Sequence, residues 1–335
     1  MKMFLKSVCF AAALTVSAVS AHAADFQNRI VRFGYGLADE SNQGRAAKFL
    51  SEDLAKRTGG KIKLKAFGSA SLGSDTQMQN ALIGGAQEMA VVSTATLVGI
   101  VADFGIFDLP FVFRTEAEAD AVLDGAFGKK LATKLEGQGL IGLAYWENGF
   151  RNLTNSKRPI TKMEDLQGVK LRVMQNPMYL DMFNGMGANA VPLAFSELFT
   201  ALESRTVDGQ ENPVNTIQSS KLYEVQKYLS ITKHVYSPWI LLASKKWWDG
   251  LSAEEREVVQ ASALASRDFE RKDSREAASK ALDYLKQKGM QVTVVSDAEI
   301  DRMQNSARPA VAKFAASGHM DLVRDLQAEL AKVRK

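Results

Sequence analysis

Cysteine and histidine are nearly absent from this sequence. Among 335 residues there is one cysteine, Cys9, and there are three histidines, at positions 22, 234 and 319. Cysteine nucleophiles, thiolate zinc sites and multi-histidine metal sites lack the residues they need, so we expect no metal and no other cofactor. His234 has no serine elbow near it and is interpreted as structural. One cysteine cannot close an intrachain disulfide, so a large apolar core must stabilise the fold.

Long apolar runs are absent after residue 23. Residues 1–23 combine two lysines, an apolar middle and the ending Ala-His-Ala, which is typical of a secretory signal peptide cleaved before Ala24. No later stretch reaches the ~18 apolar residues of a membrane span. A bacterial lipoprotein would have a cysteine at the cleavage point, whereas Cys9 lies inside the apolar middle. We therefore predict an exported, soluble mature protein.

A strong excess of charge of either sign is missing as well. The chain has 42 lysines and arginines against 38 acids, and removal of residues 1–23 leaves 40 against 38, a net charge of about +2. This balance does not indicate a nucleic-acid partner. The remaining length, a little over 300 residues, is sufficient for two lobes.

Apolar periodicity and turn residues predict an α/β fold in the first half. The predicted elements are a strand at 29–36, a helix at 41–60, a strand at 61–67, a helix at 75–84 and a strand at 88–93. This order predicts helices that cover a mostly parallel sheet. The aromatic segment 104–114 predicts a buried connection. Two helices, at 115–124 and 127–137, and a strand at 140–149 follow.

The pair Asn148-Gly149 predicts a turn, and we place the change of lobe there. The second half predicts a strand that ends at residue 173, a helix that begins at Pro177, a strand at 189–193, helices at 196–205 and 213–227, and a strand at 236–244. We assign 24–148 and roughly 238–270 to lobe I, and 149–237 and roughly 271–330 to lobe II.

A helical pattern from 253 to about 288 is longer than one small lobe, because each residue adds ~1.5 Å. We expect this helix to bridge both lobes. Its middle is nearly all polar, and we interpret residues 271–276 as a solvated face.

Arg172 is a permanently charged residue in a short apolar strand. A parallel strand covered by helices on both faces has no solvated side, so the cation must reach the strand end, where open α/β sheets bind ligands. Gln175 lies in the turn that follows. An anion in the crevice or a surface carboxylate would account for Arg172, and its position alone favours neither.

Two further polar residues lie at predicted element ends. Arg151 follows the strand at the lobe boundary, and Asn212 precedes Pro213, where an ordinary helix cap would also place asparagine. A carboxylate accepts the bidentate fork of an arginine, and neutral donors satisfy its remaining lone pairs. These two residues together with Arg172 therefore indicate a carboxylate site.

Five segments, in this order and spacing, resemble the substrate-binding proteins of TRAP transporters, the DctP-like family. They are FDLPFVFR (107–114), KLRV (170–173), GANAVPLAFSELFTALES (187–204), VDGQENP (207–213) and KLYEVQKYLSITKH (221–234). The resemblance extends over essentially the whole mature length. It implies a two-lobed α/β periplasmic binding protein with mixed sheets and a central cleft. It also implies a receptor, not an enzyme, that passes a small organic acid to the membrane subunits of a TRAP permease, and we expect a monomer.

The resemblance implies that Arg172 forms the salt bridge with the ligand carboxylate. It also implies that five other residues contact the ligand: Arg151, Gln175, Phe195, Asn212 and, in the first lobe, Ser93. Ser93 and Gly36 are smaller and less charged than the first-lobe contacts of sialic-acid binders, which argues against that ligand. Trp239 is either core or pocket wall, and we favour core. The predicted first-lobe wall, made of Ser93, Thr94 and Tyr35, is uncharged.

The sequence leaves alternatives open for the ligand and for the class of function. A second carboxylate on Arg151 would make the ligand a C4-dicarboxylate, whereas an aldonate or uronate would place hydroxyls on Gln175, Asn212 and Ser93. An exported isomerase or lyase would instead need an acid/base pair near Arg172. The candidates for such a pair are Glu147, Asp208 and Glu211.

Overall fold

The structure is a computed structural model, and it describes residues 26–334. The predicted signal peptide, residues 1–23, lies outside this range. Within it, no helix has the length and the apolar character that crossing a membrane requires.

Ten strands in the described range form one mixed sheet. They are β1 (Arg29–Gly34), β2 (Ile62–Phe67), β3 (Met89–Ser93), β4 (Leu140–Asn155), β5 (Lys170–Val173), β6 (Asn189–Pro192), β7 (Gly209–Pro213), β8 (Tyr228–Ile231), β9 (Tyr236–Ser244) and β10 (Gln291–Val294). The strand order is β2-β1-β3-β9-β4-β7-β5-β6, and β8 pairs with β4 and β10. β9 is antiparallel to β3 and β4, whereas β1 and β5 pair with parallel neighbours. The mixed sheets of the predicted fold class are confirmed.

Eleven α-helices cover this sheet in the described range. They are α1 (Asn42–Arg57), α2 (Asp75–Gly84), α3 (Glu116–Asp124), α4 (Ala126–Thr133), α5 (Pro177–Gly185), α6 (Leu198–Glu203), α7 (Val214–Ser219), α8 (Lys245–Asp249), α9 (Ala253–Gln287), α10 (Asp297–Phe314) and α11 (Met320–Val333). Serine caps begin several of them, because a side-chain oxygen accepts an otherwise unpaired backbone N–H. Ser74 and Gln77 form such a capping box at the start of α2, and Ser252 and Glu255 form another at α9.

The long strand β4 connects the two halves of the sheet. Its first part pairs with β9 and its last part pairs with β7 and β8. A register shift occurs between Glu147 and Gly149, and Gly149 has a φ of +112°, a conformation that glycine adopts most readily. The sequence Asn148-Gly149 thus marks a β-bulge inside one strand, where we had predicted a turn. The predicted lobe boundary falls at this bulge.

Helix α9 contacts both halves of the sheet through its polar middle. The Asn42 amide of α1 donates to Glu270 at 3.1 Å, and the Asn215 amide of α7 donates to the Ser274 carbonyl at 2.9 Å. The interpretation of residues 271–276 as a solvated face is wrong for Arg271 and Ser274, which are buried. Arg271 is buried on Asp124, and Arg275 pairs with Asp120 and Glu147. The polar middle is therefore used for buried hydrogen bonds and ion pairs.

The C-terminal region differs from the predicted assignment. We had placed 271–330 in lobe II, and α10 does pack on α5, but α11 packs on α3 and α4 of the first half. The predicted helix at 213–227 is also shorter. Helix α7 ends at Ser219, and Lys221 has a φ of +53°, which a continuous α-helix cannot contain.

Candidate functional site

A cavity of about 30 Å³ lies at the carboxyl ends of strands from both halves of the sheet. Gly36 follows β1 and Ser93 ends β3, while Met174 follows β5 and Asn212 lies near the end of β7. Ligands bind at such strand ends in open α/β sheets. The remaining wall residues are Leu37, Gln43, Asp75, Asn148, Phe195, Thr216 and Trp239. The volume is roughly that of one water molecule, so an organic acid enters only if the wall opens.

A larger hollow lies elsewhere, and none of the predicted site residues lines it. It has a volume of about 810 Å³ and is lined by residues 109–114 together with side chains of α10 and α11. Most of these side chains are apolar. We assign the binding site to the cavity of about 30 Å³ instead, because it lies at the strand ends close to Arg172.

Arg172 lies on β5, which ends just before the wall residue Met174, and 1% of its surface is exposed. Its side chain does not itself line the cavity. Its Nε and Nη2 donate to the Leu193 carbonyl at 2.9 and 2.6 Å. Nη1 is buried and has no hydrogen-bond partner among the described residues. Burial lowers the pKa of Arg172 to about 10, while Glu211 acts in the opposite direction. The guanidinium is charged at neutral pH and has one buried nitrogen that can bind an anion.

Arg151 is fully buried and is already paired inside the protein. Nη2 donates to Glu211 Oε1 at 2.7 Å and to the Glu211 carbonyl at 2.6 Å, and Nε donates to Oε2 of the same carboxylate. Nη1 donates to Ser237 Oγ at 3.3 Å. We had placed Arg151 just after a strand, but β4 continues to Asn155 and keeps Arg151 within the sheet. The alternative of a second ligand carboxylate on Arg151 is therefore not favoured, because Glu211 already binds this guanidinium.

Glu211 also binds His234, whose Nε2 lies 3.0 Å from Oε2. Burial raises the pKa of Glu211, but Arg151 and His234 outweigh this effect, and the pKa is lowered overall. Burial lowers the pKa of His234, so its ring is neutral at pH 7. The Nε2 atom must then carry the proton that it donates to Glu211, and Nδ1 accepts from Thr232 Oγ1 at 2.7 Å. The buried group formed by Arg151, Glu211 and His234 therefore stabilises β7, the strand that contains Asn212.

Asp75 is the wall residue that our sequence interpretation missed. It begins α2, and its Oδ2 accepts the Ser93 backbone N–H at 2.8 Å. A Cβ on Gly36 would lie 3.8 Å from Oδ1 of Asp75 and 4.0 Å from the ring of Phe195, so a carboxylate oxygen and a second-half side chain face the same space. Burial raises the pKa of Asp75 to about 6, against the effects of the Ser93 N–H and of Arg172. The prediction of an uncharged first-lobe wall is wrong.

The other predicted contacts divide into two groups. Ser93, Phe195, Asn212 and Trp239 line the cavity. Trp239 is also part of an apolar core cluster, and 5% of its surface is exposed. Its side chain therefore belongs both to the core and to the pocket wall, the two alternatives considered for this residue. Thr94 and Tyr35 do not line the cavity: Thr94 donates to the Pro238 carbonyl and Tyr35 donates to Asp39.

Gln175 is exposed and faces a different hollow, so its predicted contact with the ligand is corrected. The residue that turns inward at this place is Asn176. It caps α5 by accepting the Met178 N–H, and its amide donates to Asp108 at 2.7 Å. Asn176 occupies the cap position because Pro177 begins the helix, and that leaves Gln175 on the outside of the turn.

The three proposed acid/base residues each have a partner inside the protein. Tyr236 and Arg275 donate to Glu147, Lys157 pairs with Asp208 at 2.7 Å, and Arg151 pairs with Glu211. None of the three lines the cavity. In residues 26–334 no group of three or more His, Cys, Asp or Glu side chains is arranged to hold a metal ion.

Comparisons with known proteins identify the family of this chain. Residues 33–317 match the family model described as bacterial extracellular solute-binding protein, family 7. The 2,3-diketo-L-gulonate-binding periplasmic protein of Escherichia coli is 38% identical over 324 residues, which cover 94% of this chain and 97% of that protein.

Two solved structures are also similar. The sugar acid binding protein DctPAm from Advenella mimigardefordensis, in complex with galactonate, is 50% identical with a TM-score of 0.90, and the match covers 92% of this chain and 99% of that chain. A TRAP periplasmic solute binding protein from Polaromonas, bound to D-erythronate, is 39% identical with a TM-score of 0.86, and the match covers 90% and 98%. The chain therefore belongs to family 7 of the bacterial extracellular solute-binding proteins, the DctP family of TRAP transporter receptors.

Proposed function

We propose that this receptor binds a hydroxylated acid with a single carboxylate, of the aldonate type. The observation that carries the proposal is the contrast between the two buried arginines. Arg172 has an unpartnered Nη1, whereas the guanidinium of Arg151 is bound to Glu211. Because no lysine or arginine within residues 26–334 lines the wall, Arg172 is the one cation that the site offers to the ligand. One cation matches one carboxylate.

The relatives support the same ligand class. Galactonate, D-erythronate and 2,3-diketo-L-gulonate, the ligands of the three similar proteins, are acids with one carboxylate and several further oxygens. In the present chain, Ser93, Asn212 and Thr216 provide polar groups at the cavity wall, and Phe195 and Trp239 provide apolar surface. A mixture of a few polar groups and apolar faces suits a carbon chain with hydroxyls on it.

We infer that the mature protein is a periplasmic monomer that passes this acid to the membrane subunits of a TRAP permease. The leader-like residues 1–23 and the membership in an extracytoplasmic receptor family support this location. An isomerase or lyase is less well supported, because Glu147, Asp208 and Glu211 are each bound inside the protein and away from the cavity wall.

Binding should be accompanied by movement of the two lobes. A carboxylate can reach the buried Nη1 of Arg172 only after the wall opens, and the bulge at Gly149 provides a bending point in β4. We expect ligand to shift an open population to a closed one, so that the radius of gyration from small-angle scattering falls on addition of galactonate. An unchanged radius at saturation would indicate that only wall side chains move.

The ligand class can be tested by a thermal-shift screen of purified mature protein. A ligand that binds only the folded form raises the melting temperature by mass action. We expect galactonate, gluconate and erythronate to raise it more than succinate or malate, and neutral galactose to have no effect. Neutral sugars would leave the guanidinium of Arg172 buried without an anion. A larger shift with succinate than with every aldonate would contradict the proposal.

A further inference from the structure

We propose that Asp75 sets the ligand selectivity of this site, because its carboxylate accepts a hydroxyl of the bound acid and repels a second carboxylate. The inference rests on the proposed function and identifies the residue that would separate aldonates from dicarboxylates. Asp75 is the only acidic residue of the cavity wall in the described part of the chain.

The position of Asp75 is fixed by its backbone contacts. Ser74 caps α2 and holds Asp75 in the first helical turn, and the Ser93 N–H binds Oδ2 at 2.8 Å. This leaves Oδ1 toward the space next to Gly36 and Phe195, 3.8 Å from a Cβ built on Gly36. No described residue donates a hydrogen bond to Oδ1. An ionised carboxylate oxygen is an acceptor only, so a ligand group that binds here must be a donor such as a hydroxyl.

The two charges of the site favour one orientation of the bound ligand. Arg172, on the second half, provides the positive end, and Asp75, on the first half, provides the negative end. Arg172 lowers the pKa of Asp75, which is the effect of a nearby cation on a carboxylate. An aldonate places its carboxylate at one end and hydroxyls at the other, which matches this pair of charges. A dicarboxylate would place an anion against Asp75, and like charges in such contact reject a ligand effectively.

The affinities for two sugar acids distinguish a change of selectivity from a general loss of binding. Galactonate and galactarate have the same six-carbon skeleton and differ at one end, where galactarate has a second carboxylate in place of the terminal hydroxymethyl group. Calorimetry at pH 8, where Asp75 is ionised, should give wild-type protein a strong preference for galactonate. In Asp75→Asn we expect weaker galactonate binding by about 10-fold to 100-fold, the effect of losing a hydrogen bond to a charged group. The galactonate-to-galactarate affinity ratio should fall by at least about 10-fold.

Two control variants distinguish the role of the cavity charge. Asp75→Glu keeps the negative charge and should retain the rejection of galactarate. Asp103→Asn removes the same charge from a surface pair with Lys134, and it should leave the affinity ratio unchanged. The melting temperature of each unliganded variant reports whether it folds. If Asp75→Asn does not fold, Asp75→Ser removes the same charge from the cavity, and an unchanged affinity ratio in that variant would overturn the inference.

The outcomes also separate this inference from the proposed function. Wild-type protein that binds galactonate, with an unchanged affinity ratio in Asp75→Asn, would overturn the role of Asp75 alone. Wild-type protein that binds succinate or galactarate in preference to galactonate would overturn both the proposed function and the inference. The inference is supported if the galactonate-to-galactarate affinity ratio falls in Asp75→Asn and stays high in Asp75→Glu and Asp103→Asn.

Discussion

Replacing Arg172 with lysine is expected to weaken galactonate binding by about 2–5 kcal/mol, although the substitution keeps a basic side chain. This loss corresponds to about 30-fold to 5,000-fold in Kd. The ammonium of lysine is a compact point charge, so it cannot donate to the Leu193 carbonyl and to a ligand carboxylate with the planar geometry of the guanidinium. Burial already lowers the pKa of Arg172, and a lysine at this place would lose its proton far more easily.

Isothermal titration calorimetry with galactonate measures this effect, and Arg302→Lys is a matched control. Arg302 lies on the exposed face of α10, where it pairs with Glu164 and Glu299. The same change of side chain there should leave the affinity unaltered. Near wild-type affinity in Arg172→Lys would remove Arg172 from the binding site.

The position of Arg172 near a strand end could be predicted because it depends only on the neighbouring residues in the sequence. A guanidinium in the apolar run KLRV, followed by a turn, must lie near a strand end, and β5 does end at Val173. Phe195 and Ser93 were predicted from the resemblance, and Asn212 was predicted also from its position before Pro213. All three line the cavity. The α/β fold and the helix that contacts both halves were likewise visible, since apolar periodicity and helix caps are features of short segments.

Arg151 could not be placed correctly because strand β4 continues through a signal that normally ends a strand. Asn148-Gly149 is typical of a turn, but here it forms a bulge, since β9 and β7 provide pairing partners on both sides of it. Those partners lie more than 50 residues away in the sequence. Their pairing, and with it the occupation of Arg151 by Glu211, is a tertiary property that local patterns do not contain.

Strand β7 was missed for a related reason. Its residues, GQENP, are polar, and a buried central strand is expected to be apolar. All five are buried in the structure, because each polar side chain finds a partner: Glu211 binds Arg151, and Gln210 binds Thr154 and Asn212. Asp75 was overlooked because an acid in the first turn of a helix is ordinary. Its position in the cavity depends on contact with Ser93, which follows 18 residues later.

The buried pair of Arg151 and Glu211 should dominate the response of stability to mutation. Glu211→Gln keeps the shape of the side chain but leaves the fully buried Arg151 without a counter-charge. Breaking one partner of a buried pair typically costs about 3–5 kcal/mol, and we expect a loss of this size in the free energy of unfolding from urea titrations at pH 7. Glu164→Gln, at an exposed pair with Arg302, is the control and should change stability by less than about 0.5 kcal/mol.

The pH dependence of this loss identifies its cause. The pKa of Glu211 is lowered in the folded protein, so the charge of Glu211 contributes stability above the unfolded carboxyl pKa of about 4.3. That contribution disappears as the pH falls through the folded pKa. His234 has a lowered pKa, so both proteins also lose stability as the unfolded histidine takes up a proton below about pH 6.5. The difference in stability between wild type and Glu211→Gln should therefore stay large from pH 7 to pH 5 and narrow below about pH 4. A constant difference down to pH 3.5 would indicate that the variant loses packing or hydrogen-bond geometry, and that the charge of Glu211 is not what stabilises the buried Arg151.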